Sequence, residues 1–183
     1  MTEIALVSID HPLMKSHSYY NLAGSYHSKG DYEIAGRYYM ASVKESQKPQ
    51  DFVLPYFGLG QVQMKLGDLK SSLSNFEKVL EVHPENCESL KVVGHIYAQQ
   101  GQREKALEIL RKEIRIDPCD AHSFIKMGEL LLSLDPSVAL DSLNTTKSLL
   151  KKSREDVPIE LLNNIGVLHF ERDELELAQQ TFM

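Results

Sequence analysis

Seven histidines, two cysteines, one Gly-Leu-Gly run and one Asn-Thr-Thr triplet are the parts of this 183-residue chain whose residue types could carry chemistry. Zinc chemistry needs ligands at helical spacing, such as paired histidines four apart or a His-Glu-x-x-His run, and the histidines form neither. Cys87 and Cys119 make no Cys-x-x-Cys pair and no metal spacing, which reads as free thiols in a reducing compartment. Gly58-Leu59-Gly60 invites a dinucleotide loop, but the third glycine of that loop would fall on Gln63, and no strand pattern precedes it. Asn144-Thr145-Thr146 matches a glycosylation triplet, yet it falls inside a helical pattern in a chain with no secretory signal. The hydroxyls, thiols and carboxylates are scattered without a nucleophile motif. The expectation is no catalytic residue, no cofactor and no metal.

Charge narrows the partners. Twenty Lys and Arg against 26 Asp and Glu give a net charge of −6, a poor match for a phosphate backbone, so no direct nucleic-acid contact is expected. The one basic run, Lys147, Lys151, Lys152 and Arg154, is followed at once by Glu155 and Asp156 and reads as a solvated helix end. No apolar run approaches the ~20 residues that span a bilayer. Ile4–Ile9 is apolar but short and lacks a preceding basic region, so the chain reads as soluble and intracellular, with no membrane partner. With 42% hydrophobic residues it is not a disordered chain.

The elements that position these residues follow from a recurrence. Gly60 returns as Gly94 and Gly128, Gly67 as Gly101, Pro84 as Pro118, and Asn86 as Asp120, each after 34 residues. Small, aromatic and proline positions at that period are the signature of the tetratricopeptide repeat, a helix–turn–helix unit that stacks on its neighbours. The expected fold is all-α, a right-handed α-solenoid of about five such repeats. Units are placed at about 16–52, 53–86, 87–120, 121–157 and an incomplete 158–183. Residues 1–15 are read as the end of a preceding helix or a disordered lead, with Pro12 closing that helix.

In the first unit Tyr26, Gly30, Ala35 and Tyr39 fall at the expected offsets. Gly30-Asp31 forms the turn, Gly24 is an unfavourable mid-helix glycine, and Gln47–Asp51 is an insertion. In the second, Pro55 suits a first helical turn, and Tyr56, Leu59 and Leu66 are placed on one face of helix A. Leu69, Leu73, Phe76 and Leu80 form the stripe of helix B, Gly60 marks the helix crossing, Pro84 stops helix B, and Asn86 caps the next helix. The third unit carries Leu90, Val93, Gly94, Tyr97, Ala106 and Leu110. The fourth keeps Phe124, Met127, Gly128 and Leu131 and has a short turn at Leu134-Asp135. A polar connector at Lys151–Val157 follows. The fifth carries Leu162, Ile165, Gly166, His169, Ala178 and Phe182, with His169 as a packing residue. Helix B of that unit stops at Met183 without a polar capping helix, which suggests a fragment or an end covered by a partner.

The positive chemistry is recognition of another protein along the A helices. One known groove of this repeat is a carboxylate clamp of Lys, Asn and Arg at the second, fifth, sixth and ninth places of successive A helices. Those places hold His17, Tyr20, Asn21 and Gly24 in the first unit, and Leu54, Phe57, Gly58 and Gln61 in the second. Glu88, Lys91, Val92 and His95 hold them in the third, and the clamp is absent. Tyr20, Phe57, Gln61, Lys91, His95 and Glu129 are the candidate groove-facing residues, a mixed set suited to a protein segment rather than a free C-terminal carboxylate.

The wording of the repeats adds a resemblance. KSHSYYNLAGSYHSKGDYEIAGRYYMAS (15–42), FVLPYFGLGQVQMKLGD (52–68), NFEKVLEVHPENCESLKVVGHIYAQQGQREKAL (75–107) and DVPIELLNNIGVLHFERDELELAQQTF (156–182) closely resemble the large tetratricopeptide subunit of the RNA polymerase II-associated factor complex. The resemblance implies a nuclear, non-enzymatic scaffold. It would hold the other subunits of that complex on RNA polymerase II and support elongation and co-transcriptional histone modification. Members of that family are far longer, and a basic residue is expected where Gly24 stands. The alternative is a generic tetratricopeptide adaptor for a chaperone or another partner peptide.

Overall fold

The computed structural model describes residues 11–46 and 48–182, the last without its side chain. The expectations for Ile4–Ile9 and for the Phe182 side chain lie outside the described residues. Ten helices and no strand occur among them: α1 Pro12–Lys29, α2 Tyr32–Ser46, α3 Leu54–Lys65, α4 Leu69–Val82, α5 Cys87–Gln99, α6 Arg103–Ile116, α7 Ala121–Leu131, α8 Pro136–Ser153, α9 Ile159–Glu171 and α10 Leu175–Phe182. The chain divides into two compact units, one ending at Ile96 and the other beginning at Tyr97.

In the first unit α1 packs on α2 and α3 on α4, and α2 joins the two hairpins by packing on α3. Its core gathers Ala23, Ala35, Tyr39, Leu59 and Val62. Two buried serines lock the first hairpin: Ser16 Oγ donates to Ser42 O at 2.8 Å and Ser42 Oγ to Ser16 O at 2.6 Å. In the second hairpin Ser72 Oγ donates to Gly60 O at 2.9 Å. A Cβ on Gly60 would sit 2.9 Å from Phe76 Cε2, so the absence of a side chain lets α3 and α4 cross there. In the second unit Gly128 plays the same part, with Leu143 Cδ2 2.5 Å from where a Cβ would stand. There α7 packs on α8, and α9 on both α8 and α10, around Leu131, Ala139, Leu143, Leu161 and Ile165.

The turns follow their chemistry. Gly30, Gly67 and Gly101 adopt φ of +84°, +81° and +71°, left-handed values that suit glycine. In the fifth repeat Asp173 occupies the glycine's place with φ +61°. Asp68, Asp120 and Asp135 cap the helices that follow them, and Asn86 accepts from Ser89 N at 2.8 Å.

Four expectations are corrected. Pro12 opens α1 at its first turn instead of closing a preceding helix, and residues 12–15 are helical rather than a lead. Proline suits both places, since its missing N–H is harmless in a first turn and its ring ends a helix elsewhere. Leu66 is not on the buried face of α3. It is the C-cap, 49% exposed, and Val62 fills the core at that level. The buried face of α4 is Ser72, Asn75, Phe76 and Val79, rotated by one residue from the leucine stripe, and Asn75 Nδ2 donates to Gln63 Oε1 at 2.8 Å. The connector after the fourth repeat is shorter than Lys151–Val157, because α8 runs through Ser153 to a left-handed cap at Arg154.

Two tests follow. Gly24 lies within α1, and a Cβ there would meet nothing within 4 Å. Gly24→Ala should therefore raise stability by about 1 kcal/mol in urea titration, because only the helix-propensity term changes. A loss would mean that the glycine has a packing role.

Asp68 is an exposed cap whose carboxyl lies below the ordinary range. Ser71 is the main cause, through its hydroxyl and then its backbone N–H. A carboxyl lowered on folding contributes stability above its unfolded value of about 3.9 and loses it as pH falls through the lower folded value. Asp68→Asn keeps a capping oxygen without titrating. The advantage of the unsubstituted chain over Asp68→Asn should be steady at neutral pH and shrink below about pH 4. A gap that widens in acid contradicts this assignment.

Candidate protein-docking surface

The A-helix places fall on α1, α3, α5, α7 and α9. On α1, Tyr20 is half-buried, with its ring edge-on to Phe52 at 5.3 Å and tilted against Tyr39 at 5.9 Å. His17 stacks on the other side of the same cluster, 4.0 Å from Phe52 at an interplanar angle of 11°. Phe52, from the loop between the first two repeats, thus braces two residues of α1. On α3, Phe57 is half-buried and edge-on to Phe76 at 5.6 Å, and Gln61 is also half-buried. Lys91 and His95 on α5 are exposed. In the second unit, Glu129 on α7 is exposed and pairs with Lys126 at 2.9 Å. Both partners are solvated, so the pair contributes at most about 1 kcal/mol.

Gly58, one of the two loop-like glycines, has a packing role that the spacing does not reveal. A Cβ there would lie 2.5 Å from Tyr39 Cζ, so α3 approaches α2 ring-to-backbone at this point. Burial, with Tyr20 beside it, raises the Tyr39 phenol above its ordinary pKa. Its oxygen lies 3.3 Å from His27 Nδ1, which holds the ring in place. The aromatic layer between the first two repeats is therefore fixed, and Tyr20 rests on it.

Each unit has an open cleft beside its A helices. One of about 580 Å³ in the first unit is lined by Leu13, Met14, His17, Ser18 and Asn21. Another of about 690 Å³ in the second unit is lined by His122, Ile125, Leu149, Leu150 and Lys152 among others. His17 and Asn21, and likewise His122 and Ile125, hold the second, fifth or sixth place of their A helix. Mixed apolar and polar walls of this kind fit side chains of a docked segment. Among the described residues no group of three His, Cys, Asp or Glu is arranged to hold a metal, and no helix is long and apolar enough to cross a membrane. Both cysteines are free thiols.

His169 is 12% exposed, with Nδ1 2.6 Å from Glu174 Oε2, a packed histidine with a polar partner. Two neighbours on α9 were missed by sequence reasoning. Val167 is 50% exposed and Phe170 65% exposed. The signal was available, because Gly166 in register with Gly60 puts Val167 at the ninth place, where Gln61, His95 and Glu129 stand.

Comparison with known proteins places this geometry. Over all 183 residues the chain is 59% identical to Protein CTR9 homolog of Arabidopsis thaliana, of which it spans 17%. Over 179 residues, 92% of the chain, it is 24% identical to RNA polymerase-associated protein CTR9 of Caenorhabditis elegans, of which it spans 15%. The chain thus spans about one sixth of the length of these relatives. In three dimensions it resembles a crystal structure of MamA protein with a TM-score of 0.77 at 19% identity, covering 91% of this chain and 87% of that one. That likeness shows the all-α repeat fold. The tetratricopeptide repeat model matches residues 16–49, 55–86 and 92–118, and the chain belongs to the tetratricopeptide repeat family.

Proposed function

We propose that this chain is a non-enzymatic docking scaffold, a segment that works within the RNA polymerase II-associated factor complex in the nucleus. The observation that carries this reading is 59% identity to the Arabidopsis CTR9 homolog over the full 183 residues. The A-helix surface supports it, since ring-braced Tyr20 and Phe57, half-buried Gln61, and exposed Lys91, His95 and Glu129 offer contacts to protein side chains and no reaction chemistry. The partners are the other subunits of that complex and the polymerase machinery. The role is support of transcription elongation and of co-transcriptional histone modification. Affinity capture from nuclear extract followed by mass spectrometry tests the reading. Recovery of the other subunits with RNA polymerase II is expected, whereas recovery of cytosolic chaperones alone overturns it in favour of a generic adaptor.

A further inference from the structure

Among the described residues Glu113 is the one Asp or Glu that is buried, at 4% exposed. Its burial belongs to the repeat. Eleven residues after Asp31, Asp68, Gln102 and Asp135 stand Ser42, Val79, Glu113 and Thr146, and the other three are 0%, 2% and 0% exposed. Here α6 packs on α7, and Glu113 meets the next repeat at Ser123, itself 1% exposed.

Ser123 Oγ lies 3.1 Å from Glu113 Oε2 and 2.9 Å from Asp120 Oδ2. A hydroxyl has one hydrogen to donate. With both carboxyls ionised, one of these contacts would set a negative oxygen against the hydroxyl lone pairs. A single proton on the cluster satisfies all three oxygens. Asp120 is the member that keeps its charge. It is half-buried, its Oδ1 accepts from His122 N at 3.2 Å, and it caps the N-terminus of α7, where the helix favours an anion. Glu113 stands in the drier place, and burial beside a second carboxylate favours its neutral form.

The cations of α6 and α7 face elsewhere. Lys112 pairs with Glu108 and Lys126 with Glu129, Lys105 lies over the Tyr97 ring, and Arg103, Arg111 and Arg115 are exposed. The turn between the repeats adds Asp117, an exposed carboxylate. Half-buried Lys147 is on α8, and His122, Lys152 and Glu155 stand around the open cleft beyond Asp120.

We propose that Glu113 is a proton-held latch between the third and fourth repeats, protonated at pH 7, with its carboxyl O–H on Ser123 Oγ and the Ser123 hydrogen on Asp120. Loss of the proton puts two carboxylates on one hydroxyl and loosens the joint, and with it the capped end of α7. The latch is a property of the fold and stands apart from the scaffold reading.

Urea titrations of the chain and of Glu113→Gln are compared from pH 5 to pH 8. Glutamine keeps the size of the side chain and a donor toward Ser123 without titrating. An unfolded glutamate titrates near pH 4.3, so above that value the unfolded chain has lost the proton that the folded chain keeps. The folding equilibrium constant of the unsubstituted chain relative to Glu113→Gln should therefore fall as pH rises, by up to about tenfold per pH unit, until Glu113 ionises in the folded chain. Asp68 and the other carboxylates outside the cluster are common to both proteins and cancel. A ratio that holds steady or rises across this range overturns the latch. Carbon-detected NMR of the folded chain reads Glu113 directly, even if Glu113→Gln does not fold. A Glu113 carboxyl carbon still at its protonated shift at pH 7 is expected, and one already ionised at pH 7 overturns the proposal.

Discussion

Replacing Gly58 with leucine is expected to lower the stability of the chain by about 3 kcal/mol, the upper end of the overpacking range. The added Cβ alone would stand 2.5 Å from Tyr39 Cζ and 2.6 Å from Cε1, and Tyr39 is only 4% exposed. The ring cannot swing clear, because Tyr20 lies against it and His27 Nδ1 is 3.3 Å from its oxygen. Relief must come from separating α3 from α2, which carries Phe57 and Gln61 away from Tyr20. For a chain of this length the thermal midpoint should fall by about 6–12 °C. Gly24→Leu is the control, since that site has nothing within 4 Å of an added Cβ. Similar melting of the two variants would show that the contact between repeats yields.

Phe76→Ala is expected to cost about 3–5 kcal/mol, the usual loss for a buried phenylalanine cut back to a methyl group. The ring is 1% exposed and fills the crossing that Gly60 leaves open. It also supports Phe57 edge-on at 5.6 Å, so its removal loosens a candidate docking residue as well as the core. Gly60→Ala on its own should destabilise the chain. Combined with Phe76→Ala it should cost less than the two changes summed, because the new methyl enters the cavity that the ring vacated. Additive losses in urea titration would argue that the two positions do not share one packing contact.

Contacts within a repeat were legible from the sequence, and contacts between repeats were less so. The 34-residue recurrence reports the A–B helix crossing at Gly60 and Gly128 because that contact joins residues at fixed offsets within one repeat. Gly67 and Gly101 report the turn for the same reason. The approach of Gly58 to Tyr39 joins neighbouring repeats across the inserted loop, and its geometry depends on that loop. Phe52 braces His17 and Tyr20 from the same loop, where no periodic template specifies a neighbour. Leu66 fitted the apolar spacing of α3 but stands at its C-cap, 49% exposed, where the core at that level is already filled by Val62. The buried serines Ser16 and Ser42 carry no hydropathy signal, although they pair reciprocally inside the first hairpin. On the surface, the register names the A-helix places, but Val167, which Gly166 puts at the ninth of them, was missed. Whether such a residue rests on a core ring, as Tyr20 does, or is exposed, as His95 is, depends on packing that spacing does not encode.

The central claim is that the repeat array itself binds subunits of the RNA polymerase II-associated factor complex through its A-helix surface. Isothermal titration calorimetry of the purified chain against each purified recombinant subunit tests it most directly. Saturable binding to at least one subunit, weakened tenfold or more by Lys91→Glu with His95→Glu, is the predicted result. No heat with any subunit, together with saturable binding of a chaperone C-terminal peptide, would contradict it.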